Sequence, residues 1–415
     1  MSDKEQRKAP VLRFKGFTDD WEQRKLNTYL SVSKVKNREG KYTKQDVLSV
    51  SGDFGIVNQI KFQGRSFAGK SVKNYKVVRT GDIVYTKSPL KAAPYGIIKA
   101  NSGVPGIVST LYAVYNPKEN ADSKFVELFF NDQLRLNKYL KPIVNIGAKH
   151  DMKVKNDEVI NHHVVFPNKK EQLRISQLIQ KLDDVIFLQQ RKLDELTNLK
   201  KAYLYRLFPD EKQNIPILRF SNITNEWKKY KLGEISKRIT RKNLDLESRL
   251  PLTISAQYGL IKQKDFFNKQ VASKNLRNYI LLKSGEFAYN KSYSRDSPYG
   301  AIKRLNSYPQ GVISSLYIAF KPVDVDSNFL EQYYNSQRWY KEIYKVATEG
   351  ARNHGLLNIS PQDFFNTNLY IPVTKSEQLK IGALLNTLDR LITHQQKRIT
   401  SYQRIKKFLL QNMFI

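Results

Sequence analysis

Two long stretches of the chain place apolar residues alternately three and four positions apart. In the first, Ile179, Leu182, Ile186, Gln189, Leu193, Leu196, Lys200, Tyr203 and Leu207 fall on one seam. In the second, Leu385, Leu388, Ile392, Gln395, Ile399, Tyr402, Lys406, Leu409 and Met413 do the same. That spacing predicts two long helices, each with a coiled-coil seam. Capping-box patterns mark both starts, Asn168-x-x-Glu171 and Thr374-x-x-Glu377, after Pro167 and Pro372 that close a preceding strand. Pro209 stops the first helix. Gln and Lys interrupt the seams at matching sites; polar seam residues lower stability but fix register and partner. The alternative for the two lysines is snorkelling at the seam edge.

The rest of the chain has a shorter period. Runs of Val, Ile and Tyr bounded by Gly and Pro, such as GDIVYTK, GIVSTLYAVY and GVISSLYIAF, predict short strands, with helical patches at 125–140 and 328–345. The expected fold class is α+β.

Both kinds of segment occur twice. PYGIIKANSGVPGIVSTLYAVY at 94–115 returns as PYGAIKRLNSYPQGVISSLYIAF at 298–320. VLRF at Val11, Trp21 and Lys25-Leu26 return 206 positions on as ILRF at Ile217, Trp227 and Lys231-Leu232. LSVSGDFGIV at Leu48, Asn74-Tyr75, Gly81-Asp82 and Tyr85-x-Lys87-Ser88 return 204 positions on, the last as Tyr289-x-Lys291-Ser292. GAKH at Gly147 matches GARNH at Gly350, and EQL at Glu171 matches EQL at Glu377. This is a tandem duplication of one unit of about 206 residues. The expected division is 1–167 for a first recognition domain, 168–208 for its helix, 209–216 for a linker, 217–373 for a second domain and 374–415 for its helix. Paired antiparallel, helices of this length would form a rod of roughly 55 Å at about 1.5 Å per residue, with one domain at each end about an approximate two-fold axis.

Charge then narrows the partner. Lys plus Arg number 71 against 38 Asp plus Glu, a net charge of +33. Residues 34–99 hold 14 basic and 4 acidic side chains, and residues 237–304 hold 15 and 5, interleaved with Tyr, Ser, Asn and Gln. Such surfaces suit nucleic acid. Two readers held at a fixed distance would contact two short duplex sites spaced by helical turns of about 34 Å. The copies share a framework but differ in detail: Pro89-Leu90-Lys91-Ala92 stands where the second has Tyr293-Ser294-Arg295-Asp296. An asymmetric, bipartite target follows.

At this point the chain resembles the specificity subunits of type I restriction-modification enzymes, over essentially its whole length. The resemblance rests on the repeated LRF…W…KL entry, the GARNHGLLNIS stretch before the second helix and the EQL…LD…QQ(K/R) helices. It implies two target recognition domains, each followed by a long helix, and a bipartite double-stranded DNA site with a nonspecific spacer. It also implies two modification (methyltransferase) subunits recruited through the helices and two ATP-dependent restriction subunits. It implies further that S-adenosylmethionine, ATP and Mg are bound by those partners and that the modified base is adenine.

The chain itself carries no enzyme signature. An (Asn/Asp)-Pro-Pro-(Tyr/Phe/Trp) motif, a Gly-rich cofactor loop, a P-loop and zinc-ligand spacing are missing from the sequence, and PDEK at 209–212 lies in the linker. No catalytic residue, metal ligand or resident cofactor is expected. There are no cysteines, no run approaches the ~18 apolar residues of a membrane helix, and MSDKEQRKAP lacks a signal-peptide core, so a cytoplasmic chain without membrane partners is expected.

Candidate DNA contacts are the matched residues Tyr85, Lys87, Ser88 and Tyr289, Lys291, Ser292, with Lys91, Lys99, Arg295, Lys303 and Arg304. Lys149, His150 and Arg352, Asn353, His354 form a second set, in which Asn353 suits adenine and Arg352 guanine. Shared residues are assigned mostly to backbone positioning or framework, and the divergent loops 90–93 and 294–297 to base reading. His162-His163 are expected in a strand, and Tyr95 and Tyr299 in the core. Two other classes fit the same charge: a single-stranded or RNA binder without a two-site requirement, and a basic coiled-coil scaffold without sequence preference.

Overall fold

The computed structural model describes residues 9–89, 93–146, 152–210, 214–221, 223, 225–255, 258–269, 271–273, 275–294, 297–347 and 355–415. The chain forms two compact units, 1–189 with 398–415, and 190–397.

In the first unit the strands are β1 (Glu22–Lys25), β2 (Leu30–Val32), β3 (Leu48–Ser51), β4 (Gly55–Asn58), β5 (Lys76–Val78), β6 (Ile83–Tyr85), β7 (Ile98–Ala100), β8 (Gly106–Val108), β9 (Ala113–Pro117), β10 (Asn145–Ile146), β11 (Met152–Lys153) and β12 (His163–Phe166). An antiparallel sheet in the order β2-β9-β6-β7 lies at the centre, with β3-β4, β5-β8, β10-β11 and β1-β12 as two-stranded pairs around it. The helices are α1 (Gln59–Gln63), α2 (Ser123–Asn131), α3 (Gln133–Leu140), α4 (Asn156–Ile160) and the 38-residue α5 (Lys169–Arg206), which runs on into the second unit. Tyr85, Tyr115, Phe125, Phe130 and Phe166 fill the core between sheet and α2. Asp122 caps α2 by accepting from the Phe125 N–H at 2.8 Å.

The second unit repeats the plan. Its strands are β13 (Lys228–Lys231), β14 (Ser236–Ile239), β15 (Leu252–Ser255), β16 (Gly259–Lys262), β17 (Ile280–Lys283), β18 (Phe287–Asn290), β19 (Ala301–Arg304), β20 (Gln310–Ile313), β21 (Ile318–Pro322) and β22 (Asn368–Ile371). The central sheet is β14-β21-β18-β19, the same topology as in the first unit. Its helices are α6 (Leu232–Ile235), α7 (Gln263–Phe267), α8 (Ser327–Asn335), α9 (Tyr340–Val346), α10 (Pro361–Phe365) and the 38-residue α11 (Lys375–Asn412).

Two similar mixed α/β units joined by long helices are therefore present. The unit boundaries, however, fall inside α5 and α11 rather than at their starts, because each helix is shared. In the first unit Ile175 and Ile179 of α5 belong to the same core as Met413 and Phe414. In the second, Leu207 and Phe208 share a core with Ile381, Leu385 and Leu388. Within each unit the helical segments run antiparallel. Ion pairs join the helical segments, Lys406 with Asp183 in the first unit and Lys200 with Asp389 at 2.5 Å in the second. The two seam lysines do not snorkel: each finds a carboxylate on the other helix. Every seam residue named above is buried or half-buried, Gln395 included.

The repeated LRF and EQL motifs meet in one contact. Arg13 donates twice to the Glu171 carboxylate, at 2.8 and 2.7 Å, and Arg219 does so to Glu377 at 2.9 and 2.7 Å. Both glutamates are buried, so the bidentate pair fixes the entry segment onto the start of the long helix. Beside them Gln172 accepts from the Asp122 N–H at 2.9 Å, and Gln378 from the Asp326 N–H at 2.8 Å. Each long helix is thus pinned to the cap of α2 or α8. No helix among the described residues is long and apolar enough to cross a membrane.

Candidate nucleic-acid interface

The shared Tyr-x-Lys-Ser motif sits at the end of β6 and of β18. Tyr85 and Tyr289 are fully buried, and their hydroxyls donate to the carbonyls of Tyr95 at 2.8 Å and Tyr299 at 2.9 Å. Burial pushes both phenols up from their ordinary range. They hold the Pro-Tyr-Gly turn in place and offer no face to a nucleic acid. The turn itself demands glycine: Gly96 and Gly300 have φ of +81° and +77°, and an added Cβ would lie 2.0 Å from the Thr86 carbonyl oxygen and 2.2 Å from that of Asn290.

The lysines of the motif also face inward. Lys87 Nζ donates to the Val154 carbonyl at 2.7 Å and Lys291 Nζ to the Ile359 carbonyl at 3.2 Å. Burial lowers the Lys87 ammonium below its usual range, against the pull of Glu158. Lys99 is buried, bonded to Asn131 at 2.7 Å and 3.7 Å from Glu127. Tyr85, Tyr289 and Lys99 therefore belong to the framework, in place of the DNA-facing role expected of them. Lys303 donates to Asn335 at 3.2 Å, and Arg304 pairs with Glu331 at 2.6 Å. Ser88 is half-buried and Ser292 exposed. Lys91, Lys149, His150, Arg295, Arg352, Asn353 and His354 lie outside the described residues.

What the described framework does is hold loop stems side by side. In the second unit Ser292 bridges Leu356, Tyr293 N–H donates to the Gly355 carbonyl at 3.0 Å, and Leu357 N–H to the Lys291 carbonyl at 2.9 Å. The stem after β18 and the stem leading to α10 are thus tied together. In the first unit the Lys87 bond to Val154 ties the corresponding stems. Tyr299 half-faces this edge and packs on Tyr340 at 5.2 Å and Tyr344 at 6.4 Å; Tyr344 is 65% exposed. Sequence reading missed Tyr344, whose only signal is an aromatic residue in the basic run YKEIYK. The hairpin tips add a second repeated aromatic, Phe54 and Tyr258, at 68% and 67% exposure. Their backbone N–H groups bond to Ser51 and Ser255, at 3.2 and 3.1 Å. His162 is half-buried beside Tyr139, and His163 opens β12. Among the described residues no three His, Cys, Asp or Glu side chains gather as a metal site would require.

No family model and no curated relative matches the chain. A solved structure is similar end to end: the S subunit of a type I restriction-modification system from M. genitalium, at 15% identity and a TM-score of 0.58, over 98% of this chain and 99% of that one. The chain has the fold of a type I S subunit. Two more solved structures align over most of their length. One comes from a study of complex assembly and conformational transition in the type I R-M system, at 15% identity, TM-score 0.47, and 95% and 97% of the two chains. The other is the HsdS subunit from Thermoanaerobacter tengcongensis, at 16% identity, TM-score 0.44, and 95% and 96%. In the S-subunit fold the 206-residue repeat of the sequence becomes two units with one strand order, and the loop stems described above recur in each.

Proposed function

We propose that the chain is the DNA-reading specificity subunit of a type I restriction-modification complex. One observation carries this reading. Residues identical in the two copies are spent on framework bonds, Tyr85 and Tyr289 above all, while the sequence that follows the shared Tyr-x-Lys-Ser motif differs, Pro89-Leu90-Lys91-Ala92 against Tyr293-Ser294-Arg295-Asp296. A chain built in this way has one scaffold twice and two different reading edges, which suits an asymmetric double-stranded site of two short halves separated by a nonspecific spacer. The excess of 71 basic over 38 acidic residues supplies the sequence-independent attraction to phosphate.

In this reading the chain is not catalytic and holds no cofactor of its own. Two modification subunits bring S-adenosylmethionine, and two restriction subunits bring ATP and Mg, in the cytoplasm. The exposed apolar residues of the long helices, Phe187, Leu188, Leu391 and Phe408 among them, are the surface on which modification subunits would dock. The helices would set the spacer.

The test is co-expression with the cognate modification subunit in a methylation-free host, followed by single-molecule mapping of N6-methyladenine. A bipartite motif with one fixed spacer is expected. A contiguous motif, or no methylation with both proteins soluble and co-purifying, overturns the reading. Deleting one heptad from each helix, residues 193–199 and 399–405, is expected to shorten the gap or abolish recognition; an unchanged gap removes the ruler role.

A further inference from the structure

The duplication extends to a cleft between globule and helices, present once within each unit. In the first unit it has a volume of about 850 Å³ and is bounded by the hairpin tip at Phe54, by Lys99 and by the Asp183–Lys406 pair. In the second it measures about 920 Å³ and is bounded by Tyr258, Lys303 and the Asp389–Lys200 pair. The shape is repeated, but the charge is not.

In the first cleft every lining cation has a carboxylate. Lys406 meets Asp183, while Glu127 serves Lys124 at 3.0 Å and Lys99 at 3.7 Å, and Asp53 lines the cleft besides. In the second cleft the position of Ala100 is occupied by Arg304, whose guanidinium takes Glu331 at 2.6 Å. Asp389 is taken by Lys200 at 2.5 Å. Lys303 is left with the neutral amide oxygen of Asn335. Burial, and then the charge of nearby Lys200, lower its pKa against the pull of Glu331 and Asp389, each of which is already paired with another cation. Arg390, at the sequence position that Asp184 holds in the other copy, and Lys201 also line the cleft, and both are exposed. Among the described residues Lys201, Lys303 and Arg390 thus make no ion pair, and all three line one recess.

We propose that the second-unit cleft is the docking site for a carboxylate-bearing segment of a partner protein. Acidic side chains of the partner meet Lys201, Lys303 and Arg390, and an apolar side chain packs on Tyr258 at the lip and on Leu204. This rests on the proposed function, under which the partner is the modification subunit. A protein segment fits better than DNA for two physical reasons. Lys303 is recessed, so a carboxylate on a flexible stem reaches it, whereas the phosphates of a duplex with a persistence length of about 50 nm follow a stiff track over open surface. The cleft also has an aromatic lip and a wall of α5 and α11, a mixture of apolar anchor and charged rim usual for protein interfaces.

Titration calorimetry of the full chain with purified modification subunit, at low and moderate salt, tests this. Three proteins are compared: wild type, the double variant Lys201→Glu/Arg390→Glu, and Lys407→Glu, the counterpart of Lys201 in the other copy. All three altered positions are exposed, so folding is preserved and is verified by thermal melting. The double variant is expected to lose about tenfold to thirtyfold in affinity at low salt and less at higher salt, and Lys407→Glu under about twofold. Unchanged affinity in the double variant, or an equal loss in Lys407→Glu, overturns the docking site. So does a matching loss in the affinity of the chain alone for duplex DNA, which would make the cleft a phosphate site. No binding by wild type would overturn the proposed function itself, a result distinct from wild-type binding that the variant shares.

Discussion

Phe414→Ala should destabilise one unit and spare the other. The Phe414 ring is 5% exposed, stacks on Phe125 at 5.3 Å and 25°, meets Trp21 edge-on at 6.5 Å and lies under the Arg135 guanidinium at 5.0 Å. Truncating a ring so placed costs about 4 kcal/mol in transfer and cavity terms, and losing the cation adds about 0.5–1 kcal/mol. For a body of roughly 200 residues each kcal/mol moves the melting point by about 2–4 °C, so the first unit should melt about 9–20 °C earlier. Phe208 occupies the same place in the second unit, 6.1 Å from Trp227, 5.6 Å from Phe329 and 5.9 Å from Tyr333. Phe208→Ala should therefore produce the mirror result. Because a two-unit chain has no single unfolding free energy, the assay is hydrogen exchange read by peptide. Peptides over β6–β9 should lose protection in Phe414→Ala, and peptides over β18–β21 in Phe208→Ala. Equal loss in both units from either variant, or a cost below about 1 kcal/mol, would refute the assignment of each ring to one core.

Arg13→Ala strands the buried Glu171 carboxylate and should cost about 3–5 kcal/mol in chemical denaturation of the first unit; a cost within about 1 kcal/mol would show that water reaches the pair. Gly285→Ala and Gly300→Ala separate backbone strain from collision: φ is +84° and +77°, but only the second Cβ strikes a carbonyl oxygen. The first should cost about 1–2 kcal/mol and the second clearly more, and equal costs would contradict the contact. For Glu342, burial raises the carboxyl, but bonds from Lys345 and Asn368 outweigh it and leave the pKa below 4.5. A depressed folded pKa contributes stability that is present above the unfolded value and is lost as pH falls through the folded one. Glu342→Gln should thus flatten the acid limb of the second unit's stability curve below pH 4.5 and leave its slope at neutral pH unchanged; an unaltered acid limb would refute the linkage.

The helices were legible because their signal is local. A period of three and four repeats within each turn, and all the seam residues read from it are covered in the structure. Lys200 and Lys406 could be seen in that pattern, but their partners could not: Asp389 and Asp183 lie 189 and 223 residues away. The contact residues fared differently. Tyr85 and Lys87 sit next to a Gly-acid turn in a basic stretch, which reads as surface, yet β6 is a central strand covered on both faces, so even its alternating positions point into packing. Lys99 misled for a related reason. Its ammonium lies beside Asn131 and Glu127, groups supplied by α2, and nothing in strand periodicity announces a cation tucked under a helix. The LRF and EQL motifs were visible as repeats, but a bidentate bond across 158 residues joins them into one feature only in three dimensions.

That joining explains why a duplicated chain can keep its two copies so alike in framework. Each copy supplies one Asp and one Lys to the helices, Asp183 and Lys200 from the first and Asp389 and Lys406 from the second. Each ion pair takes its acid from one copy and its base from the other. The same exchange applies to the core rings: Phe414 completes the core around Trp21, and Phe208 the core around Trp227. One set of complementary residues therefore satisfies two interfaces, as in an isologous contact where residue i meets j and j meets i. A change at one of these positions in a single copy breaks a contact that the other copy still makes, so framework drift is opposed within the chain itself. The stem-borne segments and the cation balance of the clefts take no part in this reciprocity. They are free to diverge, and the two copies do differ there: Arg304 for Ala100, Arg390 for Asp184 and Tyr293-Ser294-Arg295-Asp296 for Pro89-Leu90-Lys91-Ala92.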